Sequence, residues 1–86
     1  MGMKVYDTHV KGSKGQLHFD VCIPEDKGDE FAVESGKKYL DSVGEGSAEM
    51  TTNECVYCHI QNPTPDQDEA IKKDGYFIIK MEGCPE

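Results

Sequence analysis

The sequence is poor in several residue types, and each shortage excludes a class of function. All nine basic residues are lysines, against 17 acidic residues, so the 86-residue chain contains no arginine and has a net charge of −8. An acidic surface repels phosphate backbones and anionic headgroups. Without arginine it also lacks the planar guanidinium, which binds a carboxylate or a phosphate through two parallel hydrogen bonds. We therefore expect no nucleic-acid partner, no membrane surface and no anionic substrate.

Long hydrophobic runs are also missing. No apolar stretch approaches the ~20 residues of a membrane span, and the first residues, MGMKVYD, contain no hydrophobic signal core. We expect a cytoplasmic protein whose four cysteines stay reduced. The chain has no serine–histidine–aspartate spacing, nucleophile elbow or phosphate-binding loop, so the sequence assigns no catalytic residue and leaves enzymatic activity open.

The length and patterning predict a single domain, residues 1–86, that begins with a β-hairpin. Residues 3–10 and 16–23 read as its strands, and the second strand has the clearer alternation, with the core-facing residues Leu17, Phe19, Val21 and Ile23. Pairing that keeps the apolar side chains together gathers four polar residues on the opposite face of the hairpin. These are Asp7, His9, His18 and Asp20.

Two helices and a further strand are predicted downstream. The first helix runs from a cap at Asp26 or Asp29 to about Val43, with Gly36 at a close approach to the sheet. The second has Thr64 as its N-cap and Gly75 as its stop. Residues 76–81 form a strand that we expect in the interior of the sheet, because residues 77–79 are all apolar.

A short element lies between the helices. Residues 51–54, TTNE, have the spacing of a capping box, so the next residues form either a short helix or a short strand. The resulting order is β-β-α-(short element)-α-β. We predict a two-layer α+β fold, with one mixed or antiparallel sheet of three to four strands and two helices on one face.

The segments YDTHV, HFDV, CVYCHI and GYFIIKMEGC, in this order, resemble a family of small bacterial proteins. That family is the domain-of-unknown-function family twenty twenty-four (DUF2024), and the similarity runs from about Met3 to Cys84. The resemblance implies a compact bacterial α+β domain, and it carries over no activity, substrate, cofactor or catalytic residue. The matching positions include Asp7, His18, Asp20, Cys55, Cys58, His59 and Cys84.

The segment CVYCH, residues 55–59, admits four interpretations. Covalent haem attachment would use both thiols and His59, with Met81 as a second axial ligand, but that chemistry follows export. A zinc site would take Cys55, Cys58, Cys84 and one histidine, His59 or His18, with Cys22 as a further choice. A redox pair would place Cys55 at a helix N-terminus, which lowers a thiol pKa. The fourth interpretation is that Cys55, Cys58 and Cys84 are small buried hydrophobic residues and that His59 is a surface or hydrogen-bonded core histidine.

The polar face of the hairpin also has two interpretations. Asp7, His9, His18 and Asp20 can form an acid–base pair or a metal site, or they can be the solvated face of an amphipathic hairpin. We predict an interaction or regulatory module that needs no cofactor and binds a protein partner or itself. The alternative is a thiol-dependent or zinc-binding protein centred on CVYCH.

Overall fold

The structure, a computed structural model, describes residues 2–84. Its elements follow one another as β1 (Met3–Gly12), β2 (Gly15–Pro24), α1 (Asp29–Ser42), β3 (Cys55–Gln61), α2 (Pro65–Asp74) and β4 (Phe77–Lys80). The four strands form one antiparallel sheet with the spatial order β3-β1-β2-β4. The predicted α+β class and order of elements are confirmed. None of the helices within residues 2–84 is long and apolar enough to span a membrane.

The hairpin of β1 and β2 lies at the centre of the sheet. Its register pairs Thr8 with Phe19 and His9 with His18, and the pairing continues without interruption from Met3–Pro24 to Gly12–Gly15. One face of the hairpin packs under α1 in the main core, whose strand residues include Tyr6, Val10, Leu17, Phe19, Val21 and Ile23. The polar face predicted from the alternation therefore points away from α1.

The second helix lies on the other face of the sheet, so the prediction that both helices share one face is wrong. Successive side chains of a strand point to opposite faces, which puts Met3 and Val5 on the face opposite Tyr6. Met3, Val5 and Cys22 form a separate small core, and Ile71 of α2 packs against it. The hairpin face opposite α1 is thus apolar at one end and polar at the other, and α2 covers the apolar end.

Strand β4 is an edge strand, which contradicts its predicted place in the interior of the sheet. It pairs with β2 alone in the described part of the chain. Its three consecutive apolar residues arise because both of its faces are packed. Ile78 contacts the core under α1, and Phe77 and Ile79 contact the small core on the other face.

The helix ends follow local signals in α2 but not at the start of α1. In α2, Thr64 and Gln67 form a reciprocal capping box, and Gly75 ends the helix with φ 90°. In α1 the N-cap is Gly28, which provides no side-chain cap, so the prediction of Asp26 or Asp29 is wrong. Asp29 accepts a hydrogen bond from the Tyr6 hydroxyl at 2.7 Å instead.

Two further local predictions are settled by the structure. The TTNE segment forms a turn in which the Glu54 carboxylate accepts hydrogen bonds from the Thr51 amide and hydroxyl, both at 2.8 Å. The chain then enters β3, so the short element is a strand. At Gly36 a Cβ would lie 2.5 Å from the Met50 Cε and 3.4 Å from the Val21 Cγ2. The close approach is therefore to the loop residue Met50 as well as to the sheet.

Candidate functional site

The polar end of the hairpin face brings two histidines and an aspartate together. Asp7 and His9 are two residues apart on β1 and so point to the same face, and His18 lies directly opposite His9 on β2. Both strands are central in the sheet. Their fixed pairing therefore positions all three side chains.

Asp7 bridges the two histidines. Its Oδ1 is 2.7 Å from the His18 Nε2, and its Oδ2 is 3.1 Å from the His9 Nε2. The two imidazole rings stack with centroids 3.9 Å apart and planes 16° apart. The hydrogen bond with His18 is the main cause of a lowered pKa for Asp7, and the hydrogen bond with His9 acts in the same direction.

Asp20 is the fourth polar residue predicted on this face. It lies opposite Asp7 in the register, with its side chain half-buried. Burial raises its pKa, and the negative charge of Asp7 raises it further. Asp20 therefore adds negative potential beside the cluster, although its carboxylate is destabilised there.

Two residues that the sequence analysis did not identify border the cluster. The Gln16 Nε2 is 3.4 Å from the His9 Nδ1. Glu82 lines the same surface depression, together with His9, Gln16 and His18. The alternation of β2 would have placed Gln16 on this face. Glu82 arrives there because its carbonyl accepts a hydrogen bond from the His18 amide at 2.9 Å, a pairing without a sequence signal.

The donor atoms of the cluster are close enough to hold a metal ion. Among residues 2–84, Asp7, His9 and His18 form the one group of three potential ligands whose ligand atoms all lie within 4.8 Å of one another. Two imidazoles and a carboxylate are donors that zinc and its neighbours in the first transition row accept.

The cysteines predicted as zinc ligands are not brought together. Cys55 begins β3 and is buried, with its Sγ 3.4 Å from the Thr8 hydroxyl. Cys84 lies beyond β4 and hydrogen-bonds the His18 carbonyl on β2. Strands β3 and β2 are separated by β1, which places their backbones about 10 Å apart. Cys58 is exposed, and the buried Cys22 lies in the small core on the other face.

The same placement removes the physical basis of two other interpretations of CVYCH. A haem would need both thiols at the surface, and Cys55 lies in the core. A redox pair would need Cys55 at a helix N-terminus, whereas Cys55 begins a strand and burial raises its pKa. The interpretation as small buried hydrophobic residues matches the position of Cys55, but Cys58 is exposed and Cys84 is only partly buried.

His59 is separate from the Asp7 cluster. It lies on β3, is exposed, and its Nε2 is 2.7 Å from the Gln61 side-chain oxygen. It pairs with Val5 in the register, two residues before Asp7 on β1.

Strand β3 forms the second notable surface. It pairs with β1 on one side and is an edge strand of the sheet. Val56, Tyr57 and Ile60 are 51%, 46% and 51% exposed. The seven residues of β3, CVYCHIQ, contain no aspartate, glutamate or lysine. We call this surface the β3 edge. The sequence did not predict it as an exposed apolar surface, although the lack of aspartate, glutamate and lysine in residues 55–61 is visible in the sequence.

The fold and these surfaces define the protein as a small α+β domain built on a four-stranded antiparallel sheet. The chain belongs to the family described as domain of unknown function DUF2024, whose sequence profile matches residues 1–81. The resemblance noted from the sequence is therefore confirmed. No curated protein matches the chain.

A solved structure is also similar over the full length. It is the NMR structure of protein NE1680 from Nitrosomonas europaea, a structural genomics target. The two chains are 44% identical, the TM-score is 0.87, and the match covers 99% of this chain and 100% of that chain.

Proposed function

We propose that the protein is a small interaction module that pairs with a second copy of itself through the β3 edge. The pairing needs no cofactor, and it takes place in the cytoplasm, where the cysteines stay reduced. The observation that supports this proposal is an open, uncharged edge strand with three exposed apolar side chains.

The contrast between the two edges of the sheet supports an interaction at β3. Proteins protect exposed edge strands with short length, charge or proline, because an open edge offers unpaired backbone groups to other chains. Strand β4 follows that rule, since it has four residues and ends in Lys80. Strand β3 has seven residues and no such charge, in a chain where 30% of residues are charged. Its one irregularity is the extra residue at Cys58, where the pairing with β1 shifts by one position.

A second copy is the partner that suits this strand. An uncharged strand offers no charge complementarity to a foreign protein, whereas two identical antiparallel strands close around a two-fold axis. Pairing two copies of β3 would make one continuous sheet of eight strands, with the short β4 strands at its ends. Both long, uncharged edges are then covered by one interface.

The test is the oligomeric state of matched glutamate variants. Ile60→Glu puts a charge on the β3 edge opposite Lys4 of β1, so the single domain keeps a favourable cross-strand pair. Met81→Glu is the control, because Met81 is also an exposed apolar residue, at 41%, but lies outside β3. We expect wild type and Met81→Glu to dimerise with a Kd on the order of 10 μM in sedimentation velocity, and Ile60→Glu to be monomeric.

Cysteine crosslinking reports the geometry of the pairing. Cys58 is the midpoint of β3, so symmetric antiparallel pairing places it opposite Cys58 of the second copy. Mild oxidation should then crosslink the wild-type dimer, and Cys58→Ser should abolish the crosslink without changing the sedimentation. The proposal would be contradicted if wild type stays monomeric at about 1 mM, or if Ile60→Glu and Met81→Glu weaken dimerisation equally.

A further inference from the structure

We propose that Asp7, His9 and His18 bind one divalent ion of the first transition row, with Zn²⁺ as the representative. The proposal is independent of self-association through β3. It rests on the juxtaposition of two imidazoles and one carboxylate whose donor atoms lie within 4.8 Å of one another.

The separations suit coordination by small side-chain movements. Zinc bonds to histidine nitrogen and carboxylate oxygen are about 2.0–2.2 Å long, so two ligand atoms on one ion lie roughly 3–4 Å apart. The Asp7 oxygens are already 2.7 Å and 3.1 Å from the two Nε2 atoms. Because the three donor atoms already lie near these separations, we expect side-chain rotation alone to admit an ion between them.

The central position of β1 and β2 preorganises the ligands. A metal site on loops must be ordered when the ion binds, which costs conformational entropy. Here the three ligands come from two strands whose ten paired positions fix their spacing. The metal therefore meets a site whose backbone is already held by the sheet.

The surroundings of the cluster favour a cation. Asp20 lies beside Asp7, and Glu82 lines the depression next to the histidines. The chain as a whole has a net charge of −8. A bound cation would offset the repulsion between Asp7 and Asp20, and Gln16 beside the His9 Nδ1 would help to hold that ring in place.

The donor set determines which ions are accepted. Imidazole nitrogen suits zinc, copper, nickel and iron, whereas magnesium and calcium prefer sites made of oxygen. Three protein ligands also leave coordination positions open toward solvent, because the Asp7 and His9 side chains are 44% and 46% exposed. The ion would therefore carry water or an exchangeable small ligand.

Calorimetry with Zn²⁺ and glutamine variants of the histidines tests the site. The chain has three histidines, so His59→Gln is a control with the same chemistry on the same sheet. We expect tag-free wild type at neutral pH to bind one equivalent of Zn²⁺. His9→Gln and His18→Gln should each weaken binding at least ~10-fold, because losing even an outer partner of a ligand costs about that factor. His59→Gln should bind as wild type does.

Thiols are the competing explanation for zinc binding. A Cys58→Ser/Cys84→Ser double variant removes both thiols that are not buried, and we expect it to bind zinc with unchanged affinity. Imidazole proton signals in NMR should shift for His9 and His18 on zinc addition and stay fixed for His59. Absence of wild-type binding, loss of binding in the cysteine variant, or equal loss in all three histidine variants would overturn the proposal.

The two proposals fail separately. Chelator should not change the sedimentation of the wild-type dimer, and Ile60→Glu should still bind one zinc ion. Thermal unfolding of each variant without metal verifies that the substitutions leave the domain folded, as expected for residues that are only partly buried.

Discussion

Asp7 and Asp20 lie opposite each other on β1 and β2, yet their pKa values move in opposite directions. The pKa of Asp7 is lowered because His18 and His9 hydrogen-bond its carboxylate. The pKa of Asp20 is raised because the side chain is half-buried and Asp7 is negatively charged. Ionised Asp7 therefore stabilises the fold and ionised Asp20 destabilises it.

Replacing Asp20 with asparagine should stabilise the protein at neutral pH. A raised pKa means that the free energy of unfolding falls as pH rises from the ordinary aspartate value, 3.8, through the folded value. Above that window the penalty is complete, and Asp20→Asn should raise stability by about 0.5–1 kcal/mol, or a few degrees in Tm. Below the ordinary value both states are protonated, and the advantage should disappear.

Asp26→Asn is the control for this prediction, because it changes the net charge equally at an exposed position in the turn before α1. Thermal unfolding of the three proteins at pH 7 and pH 3 is the measurement. Equal stabilisation by both substitutions would mean that the effect comes from net charge and not from the position of Asp20.

For individual residues, strand alternation predicted the positions of side chains better than the cysteine spacing did. The period of β2 was sufficient to place His18 and Asp20 on one face, because a strand has only two faces. The spacing of Cys55 and Cys58 could not show that the first is buried and the second exposed. An extra residue at Cys58, where the pairing of β3 with β1 shifts, interrupts the alternation.

Among the elements, α1 begins without the side-chain cap that α2 has. Gly28 is its N-cap, with φ −110° and no atom within 4 Å of the position that a Cβ would take. Gly44 follows the other end of α1, also in open space, but with φ 80°. The two glycines therefore differ in backbone conformation and not in available space.

Serine substitutions at these two glycines should have opposite effects. Gly28→Ser adds a cap and restricts the unfolded chain, so we expect a gain of about 0.5–1 kcal/mol. Gly44→Ser forces a side chain into the left-handed region, so we expect a loss of about 1 kcal/mol. Denaturant unfolding monitored by circular dichroism measures both, and a gain at Gly44 would contradict the argument from φ.

An element could be predicted from the sequence when the residues that determine its position lie within its own segment. Helix α2 was predicted closely because Thr64, Pro65, Gln67 and Gly75 act within their own segment. The face that α2 covers was not predictable in the same way, since it depends on an apolar patch formed by β1 and β2 together. The edge position of β4 likewise depends on sheet order, which no local pattern encodes.

On the scale of the whole molecule, the excess of negative charge opposes folding. Seventeen acidic residues against nine lysines give a net charge of −8, and self-repulsion of this kind favours expanded states. Salt at about 0.5 M shortens the screening length to a few ångströms, compared with roughly 30 Å at 0.01 M.

Raising the salt concentration should therefore raise Tm by a few degrees. The measurement is best made on Ile60→Glu, so that a change in self-association does not contribute. Sodium and potassium chloride should act equally, because screening depends on ionic strength. A Tm that falls with either salt would mean that favourable ion pairs, such as Asp68–Lys72 at 2.9 Å, outweigh the repulsion.

The spatial order of the strands has a consequence for how the chain folds. The central hairpin joins neighbours in sequence, so it can form before any distant contact, and β3 and β4 then add to its two sides. Each outer strand can also detach while the hairpin stays paired. Native-state hydrogen exchange on the monomeric Ile60→Glu variant should accordingly find the slowest amides in β1 and β2 and a separate, lower opening energy for β3.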